Sequence, residues 1–372
     1  MRERDLGQAP LSDVLDQARA LRDRAWGRTI TYSRKVFVPL TNMCRDTCGY
    51  CTFVKHPDDP AAALLSPDAV LRLARQGEAK GCKELLFSLG EKPELRYDKA
   101  RSALARLGYT ALTDYLADMC ALVRDQTTLL PHVNAGTLTE AEIVKLKPVA
   151  ASMGMMLETV SRRLTQPGMP HHACPDKVPV QRLRTLDRAG AHKVPFTTGL
   201  LIGIGETWAE RIAALEAIEA SHRRFGHIQE VIIQNFQRKP DIAMADHPEP
   251  ALTDMLRTIA AARIILSPEI SLQAPPNLSD RHIHYLSAGI NDWGGISPVT
   301  IDFINPQHAW PQIDQLARSC AEAGFTLKER LTVYPRFQAA VDGYLDPRMR
   351  SAVARLAGQN GLARHQAIEE VA

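Results

Sequence analysis

The sequence predicts one large α/β domain, a (β/α)₈ barrel of the TIM type. Eight short apolar runs rich in β-forming residues alternate with amphipathic helical stretches, and this alternation is typical of parallel strands joined by helices. The chain has 372 residues, which suffices for a single large core. An open doubly wound sheet also fits the alternation, but eight units favour the closed barrel.

The strands are predicted from apolar runs bounded by turn residues. The last two runs are the weakest of the series. The eight predicted strands cover residues 36–40, 84–88, 129–133, 150–156, 194–202, 230–234, 270–273 and 296–299.

Helical patterns separate these strands. Ser66 and Pro67 form a typical helix start for residues 67–80. Further helices are predicted at 139–147, 207–223, 253–266 and 311–323, and a patterned stretch at 11–26 precedes the first strand. We therefore expect an N-terminal helical extension at 1–34, the barrel at 35–337 and a C-terminal helical tail at 338–372.

Composition and charge exclude several classes of protein. The chain is 45% hydrophobic and 23% charged, as expected for a soluble globular protein. Its net charge of +3 does not indicate binding to nucleic acid or to an anionic membrane. The polar N-terminus has no signal-peptide pattern, and no run of about 18 apolar residues occurs. These features predict a cytoplasmic protein, in which seven cysteines are unlikely to form a disulfide framework.

Three of the seven cysteines, Cys44, Cys48 and Cys51, form a C-x₃-C-x₂-C cluster directly after the first predicted strand. A structural zinc site needs four ligands, and a ferredoxin-type 4Fe–4S cluster also takes four cysteines. Three cysteines leave one iron of such a cluster open to a small molecule. The spacing, with Tyr50 before the third cysteine, resembles the signature of the radical S-adenosylmethionine (SAM) superfamily, whose open iron chelates SAM.

The superfamily resemblance implies further contacts with SAM. A turn after the second strand, Gly90 and Glu91, stands where these enzymes meet the SAM amino group. Glu158 follows the fourth strand, and Arg182 on the next helix would pair with the SAM carboxylate, a task that suits a bidentate guanidinium. Thr198, Gly203 and Gly205, in and after the fifth strand, are expected beside the adenine.

Longer runs resemble one family within this superfamily, the CofG-type subunit of 7,8-didemethyl-8-hydroxy-5-deazariboflavin (Fo) synthase. The resemblance covers roughly residues 30–336 and implies an enzyme that closes the deazaflavin ring of Fo. The matching runs are 38–45, 130–136, 151–158, 195–199, 226–236, 273–278 and 289–298.

The family implies a reaction and its partners. A partner radical SAM enzyme joins the hydroxybenzyl part of tyrosine to 5-amino-6-(D-ribitylamino)uracil. A CofG-type enzyme then abstracts a hydrogen from this adduct with a 5′-deoxyadenosyl radical, the ring closes and ammonia leaves, which makes the enzyme a carbon–nitrogen lyase. The cofactors implied are a 4Fe–4S cluster and SAM, and the reductant is of the ferredoxin or flavodoxin type.

Polar residues near predicted strand ends agree with a substrate that carries a uracil ring and a ribityl chain, because amides both donate and accept hydrogen bonds. Trp293 is expected to stack on the ring, and His132 is the candidate for acid–base catalysis during amine loss. The predicted substrate-binding residues are Asn134, Gln234, Asn235, Gln273, Asn277, Asn291, Asp292 and Trp293.

Alternatives remain at this point. The chain could be the partner enzyme that makes the adduct, a relative of biotin synthase, or an iron–sulfur electron carrier without catalytic activity. Cys174 follows His171 and His172 in a proline-containing loop, but a second metal site there lacks a fourth ligand. Cys174 is therefore expected to be an ordinary loop residue.

Overall fold

The computed structural model describes residues 6–364 and contains a closed barrel of eight parallel strands. β1 pairs with β2 through its C-terminal half and with β8 through its N-terminal half, and these two pairings close the ring. The barrel fold predicted from the sequence is confirmed. The strands are β1 (Thr29–Pro39), β2 (Glu84–Ser88), β3 (Leu130–Asn134), β4 (Ser152–Gly154), β5 (Phe196–Ile202), β6 (Ile228–Asn235), β7 (Ser271–Gln273) and β8 (Asp292–Ile296).

Helices surround the barrel, and the predicted ones are present with small shifts at their ends. The sequence patterns missed two helices between β2 and β3, α3 and α4, although α4 buries much of one face. None of the helices described is long and apolar enough to cross a membrane. The helices are α1 (Leu11–Trp26), α2 (Pro67–Ala79), α3 (Asp98–Arg106), α4 (Leu112–Gln126), α5 (Glu140–Leu146), α6 (Pro179–Ala191), α7 (Trp208–Phe225), α8 (Leu252–Ile265), α9 (Ile313–Glu322) and α10 (Pro347–Leu356).

The N-terminal part of the chain is integrated into the barrel. β1 begins at Thr29, so the boundary predicted after residue 34 falls inside the first strand. The helix α1 packs against α8. The buried Arg22 of α1 donates to the carbonyl oxygens of Leu286 and Ile290, at 3.1 and 2.9 Å. The predicted extension at 1–34 is therefore corrected, apart from residues 1–5, which lie outside the described part.

The C-terminal part adds a ninth strand and an end cover. β9 (Thr326–Glu329) pairs in parallel with the first residues of β1. The chain then buries Leu331, Val333 and Phe337 against Leu130 and Ala151, which lie at the starts of β3 and β4. This segment and α10 thus cover the end of the barrel where the strands begin. The predicted tail at 338–372 is helical in part, and residues 365–372 lie outside the described residues.

The strands direct their carboxyl ends, and the loops that follow them, to the opposite end of the barrel. In barrels of this type, that end carries the active site. A cavity of about 330 Å³ opens there and reaches down between the strands. Alternate residues of each strand face the interior, so strand register decides which side chains reach the cavity.

Candidate active site

The loop after β1 carries the three clustered cysteines, and all three line the cavity. The amide of Arg45 donates to the carbonyl oxygen of Glu91 at 3.0 Å, and that of Gly49 to Pro170 at 2.8 Å. A Cβ atom at Gly90 would lie 1.9 Å from the carbonyl oxygen of Met43. Glycine at position 90 therefore lets the cysteine loop pack directly on the turn after β2.

The spacing of the thiols argues against a single metal ion. Within residues 6–364, the ligand atoms of the three cysteines do not all lie within 4.8 Å of one another, as they would around one tetrahedral zinc. A four-iron cluster holds each thiolate on a different iron and needs wider spacing. Cys44 Sγ also accepts the amides of Glu91 and Asp46, at 3.1 and 3.4 Å, and such bonds stabilise a thiolate ligand.

Cys174 lies against this loop, which the sequence did not predict. The residue is buried, its thiol lies near that of Cys48, and its Sγ donates to the carbonyl oxygen of His172 at 3.4 Å. The same loop meets the cysteine loop a second time, where the amide of Asp176 donates to Asp46 at 3.3 Å. Chain folding thus brings this loop over the cysteines, and the expectation that Cys174 is an ordinary loop residue stays a prediction.

Glu91 is a buried carboxylate at the cavity wall. A Cβ atom at Gly136 would lie 2.2 Å from its carboxylate, so glycine at position 136 makes room for it. Thr137 donates to Glu91 through its amide and its hydroxyl. Burial raises the pKa of Glu91 to about 7, although Arg182, with Nη1 3.7 Å from its Oε2, opposes the rise.

Glu158 stands on the other side of Arg182 in a left-handed backbone conformation, with φ of 64°. Its carboxylate accepts Lys177 Nζ at 2.5 Å, lies 3.1 Å from His171 Nε2 and accepts the hydroxyl of Tyr50. Burial alone would raise the pKa of Glu158, but Lys177, His171 and Arg182 outweigh it and hold this pKa well below its usual value. Glu158 therefore stays ionised.

Arg182 is buried between the two glutamates. Its Nη2 is 3.9 Å from Glu158, and its remaining donors bond the carbonyl oxygens of Met156 and Asp176 at 2.8 and 3.0 Å. These backbone bonds fix the guanidinium in place, and its long, loose contacts with both carboxylates leave it able to bind an added carboxylate.

A third group of carboxylates lies beside this pair. The oxygens of Asp46, Glu91 and Asp176 lie within 4.8 Å of one another. Arg45 binds both oxygens of Asp176, and Arg182 neutralises Glu91. We interpret the group as part of an ion-pair network. Sequence reasoning missed Asp46, Asp176, His171 and Lys177 because nothing in their local pattern distinguishes them from loop residues.

Most of the polar residues predicted to bind or act on the substrate line the cavity. They are His132, Asn134, Gln234, Asn235, Gln273 and Asn277. The Oδ1 atoms of Asn235 and Asn277 are buried without a hydrogen-bond partner among the described residues. Buried acceptors without partners are rare in proteins, and here they are available to a ligand.

Comparisons with known proteins agree with this geometry. The profile of the Radical SAM superfamily matches residues 38–218. The hydrogenase maturase HydG from Carboxydothermus hydrogenoformans has a similar fold, with a TM-score of 0.71 at 17% identity over 89% of this chain and 75% of that one. Methylornithine synthase (PylB) superposes with a TM-score of 0.67 at 16% identity over 88% of this chain and 94% of that one.

Curated relatives are much closer in sequence. The 7,8-didemethyl-8-hydroxy-5-deazariboflavin synthase of Methanopyrus kandleri is 48% identical over 90% of this chain and 100% of its own length. The chain belongs to the deazariboflavin synthase family of radical SAM enzymes. The FO synthase of Streptomyces coelicolor is 51% identical over 92% of this chain, which spans 40% of that longer protein.

Membership of the radical SAM family implies a 4Fe–4S cluster and SAM. The donor set fits both groups. Three thiols at the cavity mouth suit a cluster with one open iron, while Glu91, Glu158 and Arg182 offer acceptors and a donor for the amino and carboxylate groups of an amino acid. We therefore keep Cys44, Cys48 and Cys51 as candidate cluster ligands.

Two predicted residues near β8, Asn291 and Asp292, are corrected by the structure of this family member. Asn291 and Asp292 lie at the beginning of β8, at the end of the barrel away from the cysteines. Asn291 is fully buried and binds Arg263 and the amide of Leu272. Trp293 is also fully buried, and its indole N–H donates to Cys320 of α9 at 3.3 Å. The side chains of Asn291 and Asp292 are therefore not available to a substrate. Trp293 does line the cavity, and stacking of its ring on the substrate stays a prediction.

Of the residues expected beside adenine, Thr198 does not face the cavity, while a contact through the turn at Gly203 and Gly205 stays a prediction. Thr198 faces outward from β5, is fully buried and accepts the amide of Leu157 at 3.2 Å. The amide of Gly203 donates to Glu206 at 2.8 Å, and neither Gly203 nor Gly205 lines the cavity. The glycines form the turn that leads into α7, as their positive φ angles require.

Replacing Glu158 by Gln is expected to weaken SAM binding by about 10–100-fold, since a bond between charged partners contributes about 1.5–3 kcal/mol. The neutral amide also leaves Lys177 without its anion. The measurement is the SAM concentration needed for half-maximal formation of 5′-deoxyadenosine without substrate. Glu216→Gln, at an exposed position of α7, is the control. Equal SAM dependence in both variants would contradict this role for Glu158.

Proposed function

We propose that this chain forms the deazaflavin ring of Fo from 5-amino-5-(4-hydroxybenzyl)-6-(D-ribitylimino)uracil, with release of ammonia, as a carbon–nitrogen lyase. The observation that carries the proposal is the match to the Methanopyrus kandleri synthase along that protein's whole length. The proposal is also supported by a shared cavity, since the cysteines and the polar amides line the same space.

Residues at one end of this cavity bind the cluster and SAM, and residues at the other end bind the substrate. When bound, the reduced cluster and SAM supply a 5′-deoxyadenosyl radical that removes a hydrogen atom from the substrate. Glu91, Glu158 and Arg182 orient the SAM amino acid, and the cavity walls exclude water from the radical. The amides of Asn134, Gln234 and Asn235 bind the uracil and ribityl groups.

His132 has a defined protonation state in this proposal. Burial lowers the pKa of His132 to about 4, so the imidazole is neutral at neutral pH. Its Nδ1 lies 2.7 Å from Ser152 Oγ and 3.1 Å from Thr332 Oγ1, which leaves Nε2 facing the cavity. His132 can therefore accept a proton as the new ring becomes aromatic, but it is not an imidazolium acid for the leaving amine.

Two partners follow from the proposed reaction. Another radical SAM enzyme must supply the adduct, because this chain has one cysteine cluster of the C-x₃-C-x₂-C type. The Streptomyces coelicolor relative, of which this chain spans 40%, has room for both activities in one polypeptide. A small reductant of the ferredoxin or flavodoxin type would supply the electron.

The test is an anaerobic assay with the reconstituted protein, SAM, dithionite and the purified adduct. We expect deazaflavin fluorescence and 5′-deoxyadenosine from the adduct alone. A protein that cleaves SAM but makes no Fo from the adduct would contradict the proposal. Product from tyrosine and 5-amino-6-(D-ribitylamino)uracil instead identifies the partner activity, and a cluster that never cleaves SAM identifies an electron carrier.

A further inference from the structure

Lys35 of β1 is a buried cation that faces the cavity without a partner. Five lysine and arginine side chains line this cavity: Lys35, Lys177, Arg182, Lys239 and Arg330. Lys177 and Arg330 bind carboxylates, Arg182 binds backbone carbonyl groups, and Lys239 reaches the carbonyl oxygen of Tyr50 at 3.5 Å. Within residues 6–364, Lys35 has neither a hydrogen bond nor an ion pair, although only 9% of it is exposed.

The surroundings of Lys35 compensate its charge only in part. Its Nζ lies 5.7 Å from the ring centre of Phe37 and 5.4 Å from that of Trp310. Aromatic rings attract a cation, but they do not satisfy the three N–H donors of an ammonium group. Burial lowers the pKa of Lys35, against the opposing effect of Glu84 and other carboxylates at longer range. A buried charge with this environment is destabilising unless a ligand pairs with it.

The two glycines of β8 show that this side chain has space made for it. A Cβ atom at Gly295 would lie 2.3 Å from Cδ and Cε of Lys35 and 2.4 Å from its Nζ. A Cβ atom at Gly294 would lie 2.0 Å from Nε2 of Gln273 on the neighbouring strand. The two glycines therefore let a lysine and a glutamine extend across β8 into the cavity.

The chemistry of this pair fits one edge of a pyrimidinedione ring. That edge presents a carbonyl oxygen, an imide N–H and a second carbonyl oxygen. An ammonium group donates to the first oxygen, and a carboxamide both accepts from the N–H and donates to the second oxygen.

We propose that Lys35 is a substrate-binding residue whose ammonium donates to a carbonyl oxygen of the substrate's pyrimidinedione ring, with Gln273 binding the adjacent imide. This inference rests on the proposed function, which names the ring. The inference names Lys35 as the residue that recognises this ring. It also places the ring deep in the barrel, below the cysteine loop.

The test uses Fo, which is fluorescent and carries the same ring edge, as the probe. Anaerobic titration of reconstituted Lys35→Met is expected to give a dissociation constant for Fo about 10–100-fold above that of the wild type. The ligand-free variant is expected to unfold at the same temperature as the wild type or higher, because a buried charge without a partner has gone. Lys328→Met, at an exposed position of β9, is the matched control and should change neither value.

A second variant keeps the lysine. Gly295→Ala places a methyl group where the end of the Lys35 side chain lies, since the three atoms nearest to the added Cβ all belong to that flexible side chain. We expect weaker Fo binding with an unchanged iron content. A dissociation constant within twofold of wild type for Lys35→Met, a loss of stability in that variant, or a wild type that binds no Fo would each overturn the inference.

The outcomes separate this inference from the proposed function. A wild-type protein that binds Fo through Lys35 but makes none from the adduct contradicts the function and leaves the binding role standing. A wild-type protein that makes Fo, with an unchanged KM for the adduct in Lys35→Met, contradicts the binding role alone.

Discussion

The Cys44→Ala protein is expected to hold no intact cluster and to form no detectable 5′-deoxyadenosine or Fo. Each thiolate holds one iron of a 4Fe–4S cluster, so two remaining cysteines would leave two irons without protein ligands. Cys44 is also the thiol that accepts the amides of Glu91 and Asp46. Iron and sulfide analysis after reconstitution, with EPR spectroscopy of the reduced protein, measures the loss.

Cys174→Ala is the matched control, because its buried thiol lies near that of Cys48 but on another loop. This variant should keep about four irons per chain and an EPR spectrum that changes when SAM is added. If the cluster is lost from Cys174→Ala as it is from Cys44→Ala, Cys174 is a fourth ligand. The inference of an open iron would then be wrong.

Features encoded by short stretches of sequence were predictable. The second strand was predicted at its observed bounds, 84–88, because its apolar run is bounded on both sides by polar and turn residues. The cysteine spacing and the position of Glu91 after that strand are equally local. The closed barrel followed from counting units, since the alternation repeats along most of the chain.

Features that depend on register or on distant loops were not predictable. The last barrel strand was predicted at 296–299 but covers Asp292–Ile296. The prediction missed its first residues because Gly294 and Gly295 interrupt the β-forming pattern. Asn291 and Asp292 therefore lie at the start of β8 and not at its carboxyl end, and the pairing of β1 with β8 is itself irregular. Lys177 and Cys174 enter the site through a loop that meets the cysteine loop only in the folded chain.

The environment of Arg330 also depends on contacts between distant parts of the chain. It follows β9 and enters the barrel interior, where it is 4% exposed as a side chain. Its Nε lies 2.7 Å from Asp292 and its Nη2 2.7 Å from Glu230. Tyr334 donates to the same Glu230 carboxylate at 3.1 Å. One guanidinium thus pairs with two buried carboxylates, one from β6 and one from β8.

Replacing Arg330 by Met is expected to lower the free energy of unfolding by about 3–5 kcal/mol, the range measured when one partner of a buried ion pair is removed. The cost arises because Asp292 and Glu230 remain buried without a cation. Urea unfolding of the cluster-free protein measures it. Arg336→Met is the control on the same segment. Its side chain is 41% exposed and its contact with Glu269 is long, at 3.5 Å, so its loss should cost less than about 1 kcal/mol.

The pH dependence distinguishes a lost ion pair from lost packing. Burial raises the pKa of Glu230 to about 7 even with Arg330 present, and removing that cation raises it further. A carboxyl group whose pKa is higher in the folded state stabilises the fold below its unfolded pKa and loses that contribution as pH rises. Arg330→Met should therefore lose more stability, relative to wild type, at pH 8 than at pH 5. A cost that is the same at both values would mean that Arg330 stabilises the barrel through packing of its aliphatic stem, and Asp292→Asn would then fail to rescue the variant.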